Sequence, residues 1–150
     1  YETRLKTLVH ENNLESAVYF PGRVPREDMP ALLQKFDVLI FPSIWEEPLA
    51  RMTQEAMAAG MAVISTLTGG TGELVVEGET GLTFDPEDAA GLAQRIDQLK
   101  NDPELYQKLV KNGREKVLRQ FDIRRMIDEI ETHLSDVAER APALKIPILQ

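Results

Sequence analysis

Phe41-Pro42-Ser43-Ile44-Trp45-Glu46-Glu47-Pro48-Leu49-Ala50-Arg51-Met52-Thr53-Gln54-Glu55-Ala56-Met57-Ala58-Ala59-Gly60 decides how this chain folds. The stretch leaves the run Val38-Leu39-Ile40-Phe41, apolar at four successive positions as in a strand covered on both faces. It crosses a loop marked by Pro42 and Pro48 and then enters a helical pattern read over residues 48–59. A loop between a buried strand and a helix lies at the carboxyl end of the sheet, where open α/β folds hold their ligands.

Outward from this unit, strand-length apolar runs alternate with helical patterns, the signature of a parallel α/β architecture. Strands are expected at residues 17–20, 38–41, 62–65 and 81–84, and helices at 2–12, 26–35 and 48–59, with a short one at 73–77. Asp85-Pro86 and Asp102-Pro103 each set a capping side chain before a proline, so a helix is expected to start at each. Leu92, Ala93, Ile96 and Leu99 form the apolar stripe of the first of these. The last helix carries Ile123, Met126, Ile127, Ile130, Leu134 and Val137 at three- and four-residue steps and is expected to pack against something. Residues 141–150 hold Pro142 and Pro147 without helical period and read as an extended tail, leaving 1–140 as the domain.

Composition excludes several classes. The 150 residues suffice for one domain with a real core, and 43% hydrophobic with 28% charged residues is a globular balance. No apolar run reaches membrane-spanning length and no signal peptide opens the chain, so a cytoplasmic location is the expectation, with a peripheral position at the inner face of the membrane as a variant. Without cysteine, and with His10 and His133 far apart, no metal-ligand spacing exists. A net charge of −8 argues against a nucleic-acid surface.

Glu47 falls just before the helix and Glu55 inside it, eight positions or roughly 12 Å of helical rise apart. That is too far to serve one bond, yet it suits two hydroxyl pairs at either end of an extended ligand. A sugar nucleotide has this shape, with a pyrophosphate between that suits the unpaired N–H groups of a helix N-terminus. Arg51 in the first turn adds a cation. On spacing alone, an N-terminal helix charge and a solvated helix face explain the same two glutamates.

Longer motifs separate these readings. Glu47-Pro48 through Glu55-Ala56-Met57-Ala58-Ala59-Gly60, then Ala62-Val63-Ile64-Ser65 and Gly69-Gly70-Thr71-Gly72-Glu73-Leu74, resemble the retaining glycosyltransferases of family 4, whose fold is called GT-B. Val18-Tyr19-Phe20-Pro21-Gly22-Arg23-Val24, Phe36-Asp37-Val38-Leu39-Ile40-Phe41-Pro42-Ser43 and Glu77-Gly78-Glu79-Thr80-Gly81-Leu82-Thr83-Phe84-Asp85-Pro86 follow in the family's order and at its intervals. The resemblance covers about residues 1–135. It implies a Rossmann-like parallel sheet with helices on both faces, the donor-binding half of a GT-B fold, here without its first two strands.

The resemblance also implies roles. Glu47 matches the first acid of the family's Glu-x7-Glu motif, near the reacting carbon of the donor sugar, and Glu55 the second, on the ribose hydroxyls. The backbone at Leu49, Ala50 and Arg51 would approach the sugar and distal phosphate. The family more often has Phe-Gly where Leu49-Ala50 stands, and a Cβ at Ala50 restricts positive φ. Val24 matches a position near the base, or is a buried turn residue. Gly69 and Gly70 would line the donor cleft, or simply make a tight turn. Ser43 reads as a turn or capping group and Trp45 as a packing residue; His10 and His133 receive no role.

The implied reaction is transfer of a hexose from a nucleoside diphosphate sugar, UDP- or GDP-linked, to a hydroxyl acceptor with retention, without a metal at the donor site and without another cofactor. The acceptor, a sugar, lipid or small molecule, would be held by an N-terminal domain not present in this chain. Residue 1 then reads as a cut within a longer protein, and the chain alone is expected to be inactive and to self-associate through its open sheet edge and last helix. Alternatives are a sugar-nucleotide epimerase of GT-B architecture and a non-catalytic binding or interaction module.

Overall fold

The computed structural model describes residues 1–140; the tail expected at 141–150 lies outside them. Among the described residues, nine regular elements and two short turns of 3-10 helix follow in order. They are α1 (Glu2–Glu11), a 3-10 turn Arg26–Asp28, α2 (Met29–Leu33), β1 (Val38–Phe41), α3 (Arg51–Ala59), β2 (Ala62–Ser65), a 3-10 turn Gly69–Glu73, β3 (Leu82–Thr83), α4 (Ala89–Asn101), α5 (Pro103–Gln120) and α6 (Ile123–Arg140). The strands form one parallel sheet in the order β1-β2-β3. Val38 to Phe41 stand opposite Ala62 to Ser65, and Ile64 and Ser65 opposite Leu82 and Thr83.

β2 is central and all four of its residues are buried, three of them apolar and the last, Ser65, with its hydroxyl donating to backbone carbonyls. Successive side chains point to opposite faces. Val63 packs with Leu33, Ala56, Met57, Met61, Leu74, Val75 and Val117, with Leu39 beside them, whereas Ala62 and Ile64 pack with Leu82, Leu99 and Leu109, with Val38 beside them. Helices therefore cover both faces, and α5 serves both, through Val117 on one and Leu109 on the other. Between these two, a Cβ at Gly113 would stand 3.3 Å from the Thr80 carbonyl oxygen and 3.4 Å from Met57 Cγ, so glycine lets α3 and α5 approach closely. Met57, Ile64, Leu74, Leu82 and Leu109 are fully buried, each contributing about 1.5–3 kcal/mol by removal from water.

Several expectations change. Residues 17–20 form no strand: Ala17 and Val18 both donate to the Leu14 carbonyl in a turn after α1. An extended run becomes a strand only with a neighbour to bond, and among the described residues β1 ends the sheet with one edge unpaired. The helix expected over 26–35 is a 3-10 turn followed by five α-helical residues. The one expected over 48–59 begins at Arg51, and the short one at 73–77 instead covers Gly69–Glu73. β3 is two residues long, although Phe84 still donates to Ser65.

Asp102 caps α5 as expected, its carboxylate accepting from Leu105 N at 2.9 Å. Asp85 caps nothing: Glu87 takes φ +65, which breaks the helix register, and Asp88 caps α4 through Gly91 N. Of the α4 stripe only Leu99 is fully buried, while Ala93 and Ile96 are exposed. The α6 stripe finds no cover either, for no residue of this helix is buried.

Candidate functional site

Two loops leave the carboxyl ends of adjacent parallel strands, residues 42–50 after β1 and 66–73 after β2. Pairing of Phe41 with Ser65 makes them neighbours from their first residues. Ser65 Oγ donates to the Phe41 carbonyl at 3.2 Å, and the Thr66 and Thr68 hydroxyls both donate to the Ser43 carbonyl, at 2.5 and 3.4 Å. Farther out, Gly69 N donates to Glu46 Oε2 at 2.7 Å and Gly70 N to the Glu47 carbonyl at 2.8 Å. Hydroxyl-bearing residues thus join the loop roots, and glycine amides join the tips.

The tandem glycine has a steric cause. A Cβ at Gly69 would lie 2.0 Å from the Glu47 carbonyl oxygen, and one at Gly70 would lie 1.9 Å from that of Pro48. Gly69 also holds φ +56, where other residues are strained. Gly72 meets nothing within 4 Å, so the first two glycines, and not the third, are fixed by contact.

The expected site residues fall into two groups. Glu47, Leu49, Ala50, Gly69 and Gly70 come together where the two loops touch, with Glu47 half-buried and Arg51 exposed as the first residue of α3. Ala50 is 1% exposed and holds φ −70, which alanine adopts freely, so its Cβ does not strain the loop. No side chain caps α3, whose first amides carry the positive end of the helix dipole. Glu55 belongs to a second group. It lines a cavity of about 410 Å³ with Arg26, Met29, Pro30, Leu33, Gln34, Ala58 and Ala59. Half-buried Val24 precedes this cavity's Arg26 by two residues.

Ser43 is a turn residue whose hydroxyl accepts from Trp45 N at 3.2 Å. Trp45, expected to pack, is 74% exposed in the loop after β1. His10 pairs with Glu15 at the surface, away from both groups. Among the described residues no three acidic or histidine side chains gather as metal ligands.

Two participants were not singled out from the sequence. Arg26 reaches the Glu55 cavity from a turn opened by Pro25, and nothing local marks it. Glu46 binds an amide 23 residues away, a contact set by strand pairing rather than by any motif.

A parallel sheet covered by helices on both faces, with two loops meeting beyond adjacent strand ends beside an uncapped helix start, is the architecture of GT-B glycosyltransferases. The family described as Glycosyl transferases group 1 matches residues 1–116, and the chain belongs to it. A putative glycosyltransferase of Bacillus subtilis, YtcC, is 40% identical over 118 residues, 78% of this chain and 28% of that protein. HepE of Anabaena, solved in complex with UDP, superposes with a TM-score of 0.85 at 29% identity, over 91% of this chain and 37% of HepE. Sucrose-phosphate synthase from Thermosynechococcus elongatus gives 0.83 at 32% identity, over 93% of this chain and 35% of that one. The chain spans about a third of the length of the curated relatives it matches. Among the described residues no helix is long and apolar enough to cross a membrane.

Proposed function

We propose that this chain is the donor-binding part of a retaining, family 4 hexosyltransferase that takes its sugar from a nucleoside diphosphate sugar and passes it to a hydroxyl acceptor. The observation that carries the reading is the placement of Glu47 and Glu55 on either side of the uncapped start of α3. Glu55, in its cavity with Arg26, holds the ribose diol, and half-buried Val24 borders the base. The diphosphate lies toward the first amides of α3 and Arg51, where helix dipole and guanidinium offset its charge. Glu47 and the backbone of Leu49 and Ala50 face the hexose, with Gly69 and Gly70 closing that side.

In this arrangement the protein positions the donor and stabilises the leaving diphosphate, supplying neither a covalent nucleophile nor a metal. UDP is favoured as the nucleotide because HepE was solved with UDP and with UDP-glucose. A sugar acceptor is favoured by the HepE complex with UDP and glucose. A cytoplasmic enzyme, peripheral at the inner face of a membrane where the acceptor is a lipid, completes the reading.

The test uses the full-length enzyme. Glu55→Gln leaves one acceptor oxygen for the diol and should weaken UDP-sugar binding by about 1–3 kcal/mol, measured by calorimetry. Glu47→Gln should lower turnover at nearly unchanged affinity. Wild-type kinetics in both variants would sink the assignment.

A further inference from the structure

The loop that carries Glu47 has little to hold it. Between its root at Ser43 and the start of α3, two hydrogen bonds tie it to the rest of the molecule among the described residues: Gly69 N to Glu46 Oε2 and Gly70 N to the Glu47 carbonyl. Consecutive amides of one loop thus grip consecutive residues of the other. Gripping the side chain of residue 46 and the carbonyl of residue 47 together fixes the backbone between them, and so fixes the direction in which the Glu47 side chain departs.

Among the described residues the Gly69 amide has no other acceptor. It opens the 3-10 turn Gly69–Glu73, which no side chain caps, because the Thr68 hydroxyl is turned to the Ser43 carbonyl instead. Gly69 cannot carry a capping side chain itself, as its Cβ would collide with Glu47. Only the residue before Glu47 supplies the missing acceptor, and it does so as a carboxylate, the stronger partner for an N–H.

We propose that Glu46 is a positioning residue for Glu47: its carboxylate holds the Gly69 amide and thereby aims the Glu47 side chain at the transferred sugar. This rests on the donor-site reading above. On this proposal Glu46 acts through Glu47 and not on the substrate, so its loss should change turnover and leave nucleotide affinity, built around Glu55, intact.

The experiment compares Glu46→Ala, Glu46→Gln and Glu47→Gln with wild type in the full-length enzyme. It measures UDP binding by calorimetry, UDP release from UDP-glucose, and hydrogen exchange over residues 68–72. Glu46→Ala should lower kcat at least ~10-fold with the UDP dissociation constant within ~2-fold, since about 1 Å of misplacement costs this much or more. It should also speed exchange of the Gly69 and Gly70 amides. Glu46→Gln keeps an acceptor oxygen and should restore kcat to within ~3-fold and restore protection. Unchanged amide exchange in Glu46→Ala overturns the proposal, as does a Gln variant no better than Ala. Wild-type turnover in Glu46→Ala beside a crippled Glu47→Gln defeats the role of Glu46 alone, whereas full turnover in Glu47→Gln defeats the donor-site reading itself.

Discussion

Gly70→Ala and Gly72→Ala put one methyl group at two places in the same turn, and the structure assigns them opposite outcomes. At Gly70 the new Cβ would lie 1.9 Å from the Pro48 carbonyl oxygen and 2.9 Å from its carbon, both backbone atoms of the facing loop. Ordinary packing demands that the two loops part by roughly 1 Å. Over-packing of this kind costs about 1–3 kcal/mol, and stretching the 2.8 Å bond from Gly70 N to the Glu47 carbonyl adds about 1 kcal/mol. The melting temperature should fall by on the order of 5–15 °C for a chain of this size. Gly72, with nothing within 4 Å, loses only freedom in the unfolded state and should change stability by less than about 1 kcal/mol, in the favourable direction. Thermal melts of both variants, read beside the emission of the single Trp45 in the same loop, check this. Equal stability of the two would mean that the β1 loop does not rest on the glycine pair, and the derivation of the Glu47 position would fall with it.

Asp102→Ala should destabilise the protein by ~1 kcal/mol through loss of the α5 cap, and Asp85→Ala by almost nothing, as urea titrations of the pair would show. Burial first, and then the charge of Asp37, raise the Tyr106 pKa above its ordinary 10. The folded chain therefore keeps this proton longer than the unfolded one, and the associated stability is intact below pH 10 and lost as pH climbs through the raised value. Phenolate absorbance should show a late-titrating tyrosine that disappears in Tyr106→Phe and shifts earlier in Asp37→Asn. The exposed stripe of α6 should make the 150-residue chain self-associate, visible as concentration-dependent sedimentation and abolished by Ile130→Glu with Leu134→Glu. A sharp monomer at high concentration would refute this.

β2 was legible because burial on both faces leaves a mark along Ala62–Ser65, and β1, although an edge strand with Ile40 exposed, stands where its apolar run put it at Val38–Phe41. Residues 17–20 carry a similar run, yet a strand is a property of two segments, and their own sequence could not show that no neighbour would bond them. The two Asp-Pro pairs look alike, but Asp88 competes for the α4 start and wins once Glu87 enters the left-handed region. Within the site, Glu47 and Glu55 could be singled out because they stand at the positions of a longer motif that resembles a known family, which spacing alone did not decide. Glu46 and Arg26 could not, because the contact of Glu46 with Gly69 follows from β1 lying beside β2, and that of Arg26 with the Glu55 cavity from α2 packing against α3.

The two carboxylates at the centre of this reading are held by different means, with a consequence for how the site responds to change. Glu55 sits on α3, a helix clamped to the core by Thr53, Ala56 and Met57, with Met57 packed against Gly113 of α5. Its position is part of the packing, and a close-packed interior resists and passes on strain, so Glu55 shifts only at a cost in stability. Glu47 hangs from a loop joined to the fold by glycine amides and threonine hydroxyls, bonds worth about 1 kcal/mol each that open without unfolding anything else. Substitutions beneath α3, such as Met57→Ala, should therefore lower stability and nucleotide affinity together, while substitutions along the loop seam should lower turnover with affinity spared. On the proposed reading Glu55 would act from a rigid element and Glu47 from a loop held by few bonds, so that the donor would be gripped before the reacting end of the site is set.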